Sequence, residues 1–139
     1  MYLIDTNVIS EHRKQRRADV GVQRFFRDAT EQDERLYISV VTVGELRRGI
    51  ELIRHRADHS QADLLEAWLE TVLDSYADSV LDFTSAEAQV WGGLRALQPQ
   101  NAIDKQIAAT AITCGLTLVT RNVKDFINTG AQILNPFEF

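Results

Sequence analysis

Four acidic residues stand where the sequence pattern changes between strand and helix: Asp5, Glu45, Asp104 and Asp125. Asp5 ends the apolar run Tyr2-Leu-Ile and is followed by Thr6 and Asn7, residue types that favour turns and helix starts. Glu45 falls at the start of the helical pattern after a second strand-like run. Asp104 opens an alanine-rich helical pattern, and Asp125 follows a fourth strand-like run. In an open parallel sheet such junctions share one edge, and ligands bind at that edge. Clustered carboxylates repel one another and resist full ionisation unless a cation neutralises them. A hard ion such as Mg²⁺ or Mn²⁺ does this while keeping several waters of its own. It readies a water for attack on a phosphodiester and steadies the charge on the transferring phosphorus. Such a site needs no nucleophilic Ser or Cys with a His base.

Each acid also has a plainer role. Asp5 fits a turn acid that caps the following helix. Glu45 stands three after Thr42, a capping-box spacing. Asp104 stands three after Asn101 and suits a first helical turn, where an acid opposes the helix dipole. Asp125 suits a loop. What singles the four out is their joint placement at junctions.

The elements that position them follow from periodicity. A strand at 2–4 leads into a short helix over 7–14. A second helix covers 20–29, with Val22, Phe25 and Phe26 as its apolar face. Leu36-Tyr-Ile-Ser39 reads as the second strand. Val43, Leu46, Ile50 and Ile53 recur at helical spacing up to residue 56. A longer helix is expected over 60–76, a third strand over 79–83, and a helix from 84 to 97 opened by Thr84 and Glu87 as a capping box. The apolar helix 103–114 stops at Gly115. A fourth strand is expected over 116–120, then a loop with one helical turn over 121–129 and a final strand at 133–134. Strands alternate with helices throughout, which predicts an α/β fold with a mostly parallel sheet. There is no internal repeat, and residues 1–139 read as one domain.

The chain's 139 residues, 45% hydrophobic and 25% charged, suit one soluble domain with a real core. No stretch approaches the roughly 18 apolar residues of a membrane span. The first strand begins at once, leaving no room for a signal peptide, and a cytoplasmic protein is expected. Cys114 is the single cysteine, which excludes an intrachain disulfide and a thiolate metal cage. A net charge of −5 by itself argues against a nucleic-acid partner, but the charge is uneven. Arg13, Lys14, Arg16, Arg17, Arg24 and Arg27 crowd one segment. Residues 57–94 contain no Lys or Arg but carry Asp58, Asp63, Glu66, Glu70, Asp74, Asp78, Asp82 and Glu87. An acidic site for a polyanion needs cations to frame it. Arg13, Lys14, Arg16 and Arg17 follow the helix that starts beside Asp5, and Lys105 and Arg121 adjoin the other junctions. All six are candidate phosphate contacts.

The stretches Tyr2-Leu-Ile-Asp-Thr-Asn-Val-Ile-Ser10, Ile38-Ser-Val-Val-Thr-Val-Gly-Glu-Leu-Arg-Arg-Gly49, Asp104-Lys-Gln-Ile-Ala-Ala-Thr-Ala111, Leu118-Val-Thr-Arg-Asn-Val-Lys-Asp-Phe126 and Asn135-Pro136 come in a familiar order. The chain resembles PIN-domain proteins of the VapC type, the toxin half of bacterial type II toxin–antitoxin pairs, over nearly its whole length. The resemblance implies a three-layer α/β/α fold and a divalent-metal-dependent endoribonuclease using Mg²⁺ or Mn²⁺. It implies Asp5, Glu45 and Asp104 as the shared acids, with Asp5 and Asp104 as metal ligands. The fourth acid is Asp125 where family members carry it in the Asp-Phe position; other members have Asp where this chain has Asn122. Thr6 and Asn7 match the family's Asp-Thr-Asn motif, and these two and Thr120 are supporting candidates, as is Asn122 through its carbonyl oxygen. The resemblance further implies a homodimer and a VapB-like antitoxin. The antitoxin's tail would fill a groove formed in part by residues 43–76, giving a hetero-oligomer. Two other readings compete. One is a PIN-fold binding module without catalysis. The other is an aspartyl-phosphate phosphohydrolase, which expects a second Asp at the position held by Asn7.

Overall fold

Leu3 and Ile4 are neighbours in the chain, both wholly buried, and they belong to opposite cores. That is the period-two geometry of a strand covered on both faces. The structure is a computed structural model that describes residues 1–138. Five short strands form one all-parallel sheet: β1 (Tyr2–Ile4), β2 (Leu36–Ser39), β3 (Val80–Leu81), β4 (Thr117–Val119) and β5 (Ile133–Leu134). Their order is β3-β2-β1-β4-β5, with Tyr2 opposite Leu36 on one side and Thr117 on the other.

The helices are α1 (Thr6–His12), α2 (Val20–Glu31), α3 (Val40–His55), α4 (His59–Ser75), α5 (Ser85–Leu97) and α6 (Ala102–Cys114). Val8, Ile9, Val22, Phe25, Leu46, Ile50, Leu69 and Val72 pack from α1–α4 onto Ile4, Ile38 and Val119. Ile107, Ala108 and Ala111 of α6 pack with Leu94 of α5 onto Leu3 and Leu118. The fold is therefore α/β in three layers, as expected. Among the described residues no helix is long and apolar enough to cross a membrane.

Most boundaries fall within a residue or two of expectation. The third strand is shorter, two residues rather than five, because it pairs only with Ile38 and Ser39 at the sheet's edge. Glu87 reaches back to the backbone N–H of Thr84 at 3.2 Å, the capping-box contact foreseen for α5. The Thr42–Glu45 box does not form. Helix α3 begins earlier, capped by Ser39, whose Oγ accepts from Val41 N at 3.0 Å. Glu45 is therefore in the second turn and has no capping role.

In this strand order β1 is followed on one side by β2 and β3 and on the other by β4 and β5. The crevice between the ends of β1 and β4 is the topological switch point, the ligand-binding position of open parallel sheets. Asp5 directly follows β1, and Thr120 directly follows β4.

Candidate active site

Asp5 is built into this crevice by its neighbours. Its backbone N–H donates to Val119 O at 2.9 Å, continuing the β1–β4 ladder by one residue. Its carboxylate is 2% exposed by residue and accepts three hydrogen bonds. Thr6 N donates to Oδ1 at 2.8 Å, while Thr120 Oγ1 at 2.7 Å and Asn7 Nδ2 at 3.3 Å donate to Oδ2. Asp5 thus caps α1 as well as occupying the site. Burial pushes its pKa up, and the bonds from Thr120, Thr6 and Asn7 pull the other way.

Thr120 also accepts from Asn122 N at 3.0 Å, and Asn7 Oδ1 accepts from Arg121 N at 3.1 Å. One hydroxyl and one amide therefore tie Asp5 to the turn after β4. Thr6, by contrast, acts through its backbone; its buried hydroxyl has no partner among the described residues.

Asp5, Glu45 and Asp104 line one cavity of about 230 Å³, with Thr6, Asn7 and Asn122. Each arrives from a different element: the end of β1, the second turn of α3, the first turn of α6. The Asp104 carboxyl is pushed up to about 6, first by burial, then by the charges of Asp5, Asp125 and Glu45, with Lys105 opposing. Asp125 is near enough to act on Asp104 but lines a neighbouring cavity with Arg121, Asn122 and Lys124. Its Oδ1 accepts from Asn101 Nδ2 at 3.4 Å.

Lys105 does not frame the site as the sequence suggested. It is 1% exposed, and its ammonium donates to Gln100 O, so its face of α6 turns into the protein rather than toward a phosphate. Lysine's long apolar stem permits this burial. Arg13, Lys14, Arg16, Arg17 and Arg121 are exposed. Lys14 pairs with Glu11 at 2.8 Å, Arg13 lies over the Trp68 ring at 5.9 Å, and Arg121 lies over Phe137 at 4.6 Å. Asn101, not among the sequence candidates, precedes α6 in the left-handed region at φ 56° and braces Asp125. Asparagine tolerates that conformation better than most residues, so its place just before a helix start was the available signal.

A model of the PIN domain family matches residues 2–131. The chain belongs to the PIN-domain family. Along 99% of both chains this PIN domain is 38% identical to plasmid stability protein StbB of Pseudomonas syringae pv. tomato. It is 33% identical to VapC ribonuclease Y4jK of Sinorhizobium fredii and 30% identical to toxin FitB of Neisseria gonorrhoeae, again over 99% of each. The crystal structure of FitAcB from Neisseria gonorrhoeae superposes with a TM-score of 0.85 at 30% identity, covering 100% of both chains.

The cavity's donors suit a hard divalent cation. They are carboxylate, amide and hydroxyl oxygens, with no thiolate or imidazole. Among the described residues Glu45 and Asp104 accept no side-chain hydrogen bond, so their oxygens are available, and a cation would relieve the like charges that, after burial, raise Asp104. Among the described residues no three of His, Cys, Asp and Glu converge tightly enough to grip an ion by themselves. An ion of this class keeps much of its water shell and takes only one or two carboxylates directly, so the looser arrangement fits it.

Proposed function

We propose that this PIN domain is a divalent-metal-dependent endoribonuclease, using Mg²⁺ or Mn²⁺, and the toxin of a type II toxin–antitoxin pair. The carrying observation is the convergence of Asp5, Glu45 and Asp104 on one cavity at the switch point of the sheet. The names of the relatives, a ribonuclease and a toxin, point the same way.

In this reading Asp5 and Asp104 would hold the ion. When bound, it supplies an activated water and neutralises charge at the transferring phosphate. Thr120 and Thr6 fix the direction of the Asp5 carboxylate, so its ligand oxygen needs no rearrangement during reaction. Glu45, which takes no side-chain hydrogen bond from the described residues, would accept the proton of the attacking water as its oxygen bonds to phosphorus and the P–O bond to the leaving ribose oxygen breaks, that oxygen taking a proton from solvent water. Asn122, which lines the same cavity, would offer its amide oxygen to the ion. Asp125 adds negative field from the side.

The partner is an antitoxin of the kind seen in the FitAB and VapBC complexes, which are solved with DNA fragments bound. The toxin pairs as a homodimer and joins that antitoxin in a hetero-oligomer. Support for a peptide-binding groove comes from a cavity of about 410 Å³ that is lined by His12, Phe26, Trp68 and Tyr76, well stocked with aromatic surface. Of the groove expected over 43–76, only the α4 part belongs to it.

Antitoxin-free protein is expected to cut RNA with Mg²⁺ or Mn²⁺ and to stop in chelator, and Asp5→Asn is expected to lower the rate at least a hundredfold. Wild-type rates in the variant would sink the assignment. Cell growth arrest that survives Asp5→Ala would instead favour a binding module without catalysis.

A further inference from the structure

Next to the acid cavity lies a second one of about 330 Å³, lined by Arg121, Asn122, Lys124, Asp125, Asn135 and Glu138. Asn122 lines both, so the two are contiguous at that residue. The size is at the small end of the range for ligand pockets. The wall differs in kind from that of the acid cavity, offering two cations, two amides and two carboxylates.

Neither Arg121 nor Lys124 forms an ion pair among the described residues. Arg121 is held instead over the Phe137 ring, which steadies the guanidinium without neutralising it. These cations suit the phosphate of a strand passing the acids. The amides are partly fixed. Asn135 Oδ1 accepts from Phe137 N at 3.0 Å, which leaves its NH₂ for a ligand, and Asn122 is anchored by its backbone N–H on Thr120. Glu138 is exposed, at the end of a 3₁₀ turn (Pro136–Glu138), and takes no side-chain hydrogen bond from the described residues. A carboxylate accepts hydrogen bonds and cannot donate them. It repels a second phosphate and the carbonyl edge of a base, and it attracts an amino group.

We propose that this second cavity is a specificity subsite for the nucleotide next to the scissile phosphate, and that it takes a base carrying an exocyclic amino group. Arg121 and Lys124 hold the phosphate, the two Asn side chains meet the base's mixed edge, and Glu138 accepts from the amino group. Adenine, cytosine and guanine qualify. Uracil carries a carbonyl oxygen where cytosine carries its amino group and keeps only its ring N3–H as a donor on that edge, so it is disfavoured. This rests on the ribonuclease reading of the acid cavity.

The test is cleavage of a single-stranded RNA pool, randomised around the cut, by antitoxin-free protein with Mn²⁺, followed by sequencing of the ends. Wild type is expected to deplete uracil about fivefold at one position adjacent to the cut, the worth of one hydrogen bond at an open site. Glu138→Gln, whose amide can donate to a carbonyl, is expected to bring uracil back to within about twofold of the other bases at that position alone. Because Glu138 is exposed, the substitution leaves the core untouched. A cut pool with a flat profile, or one unchanged in Glu138→Gln, overturns the subsite and leaves the ribonuclease reading standing. An uncut pool overturns both.

Discussion

Asp5 and Asp104 show how the same residue type is handled in two ways at one site. Asp5 is more deeply buried, yet the donors around it oppose the effect of burial. Asp104 is raised first by burial and then by the like charges around it, with no such donor among the described residues to oppose them, which is why its carboxyl is pushed up to about 6. This has a consequence for stability that is independent of catalysis. A raised pKa means the folded state holds the proton more tightly than the unfolded chain, whose Asp titrates near 4. Metal-free protein is therefore favoured by this group below pH 4, and that advantage is lost as pH rises from about 4 to about 6. Above pH 6 the charged carboxylate is a cost, on the order of 1 kcal/mol once its half-exposed setting is allowed for. Asp104→Asn is expected to raise the melting temperature in chelator at pH 7 by roughly 4 °C, to change it little at pH 4, and to abolish cleavage. Added Mg²⁺ should close the gap by stabilising only the wild type. Equal melting temperatures at pH 7 in chelator would show that the acids do not strain one another.

At the level of elements, helix α6 carries two lessons. Its sequence, apolar and alanine-rich and ending at Gly115, is legible as a buried helix, and Gly115 does end it at φ 66°. Asp104 at its start is legible too. The direction of Lys105 is not, because a helical residue one position from an exposed acid can point into the protein, and no local pattern reports which loop carbonyl waits there. The same holds for Glu45: Thr42-x-x-Glu45 has a capping spacing, but Ser39 captures the helix start because β2 delivers it there. Strand-to-helix junctions were thus readable from composition, whereas their side-chain partners depended on distant chain, as with Thr120 on Asp5. Lys105 and Arg121 separate the two situations by experiment. Lys105→Ala empties a buried stem and strips Gln100 O of its donor, and is expected to cost roughly 2–4 kcal/mol of stability. It should leave the salt dependence of RNA binding unchanged. Arg121→Ala is expected to do the reverse: little effect on melting, and a fall of about 0.7 in the magnitude of the slope of log affinity against log salt. Binding measured in chelator at several salt concentrations, beside thermal melts, reads both. A reduced slope in Lys105→Ala would restore Lys105 as a phosphate contact.

Across the whole molecule, charge is segregated rather than balanced. The net value of −5 alone would predict weak attraction for RNA. Yet Lys14 of the basic run and Arg121 of the turn after β4 both lie close to Glu11 of α1, whereas Arg13 turns toward Trp68 of α4. The acids of residues 57–94 lie on α4 and α5, before α4 and on either side of β3, segments that do not line the candidate site. In the proposed reading a strand of RNA would meet the exposed cations from 14 to 17 and at 121 on its way to the acids, while the acidic elements would contribute a longer-ranged repulsion that salt screens within about 10 Å. If direct contact governs affinity, the two regions must respond differently to neutralisation. Arg16→Gln with Arg17→Gln, both exposed in a 3₁₀ turn (Gln15–Arg17), is expected to lower the magnitude of the salt slope by about 1.4, two single-strand phosphate contacts. Asp78→Asn with Asp82→Asn shifts the net charge by the same amount in the opposite direction and is expected to leave that slope within about 0.3 of wild type. Any gain in affinity from the second pair should vanish above roughly 0.2 M salt, because it acts through the field rather than through released counterions. Equal and opposite slope changes in the two pairs would mean that net charge, and not the placement of the basic run, sets RNA binding.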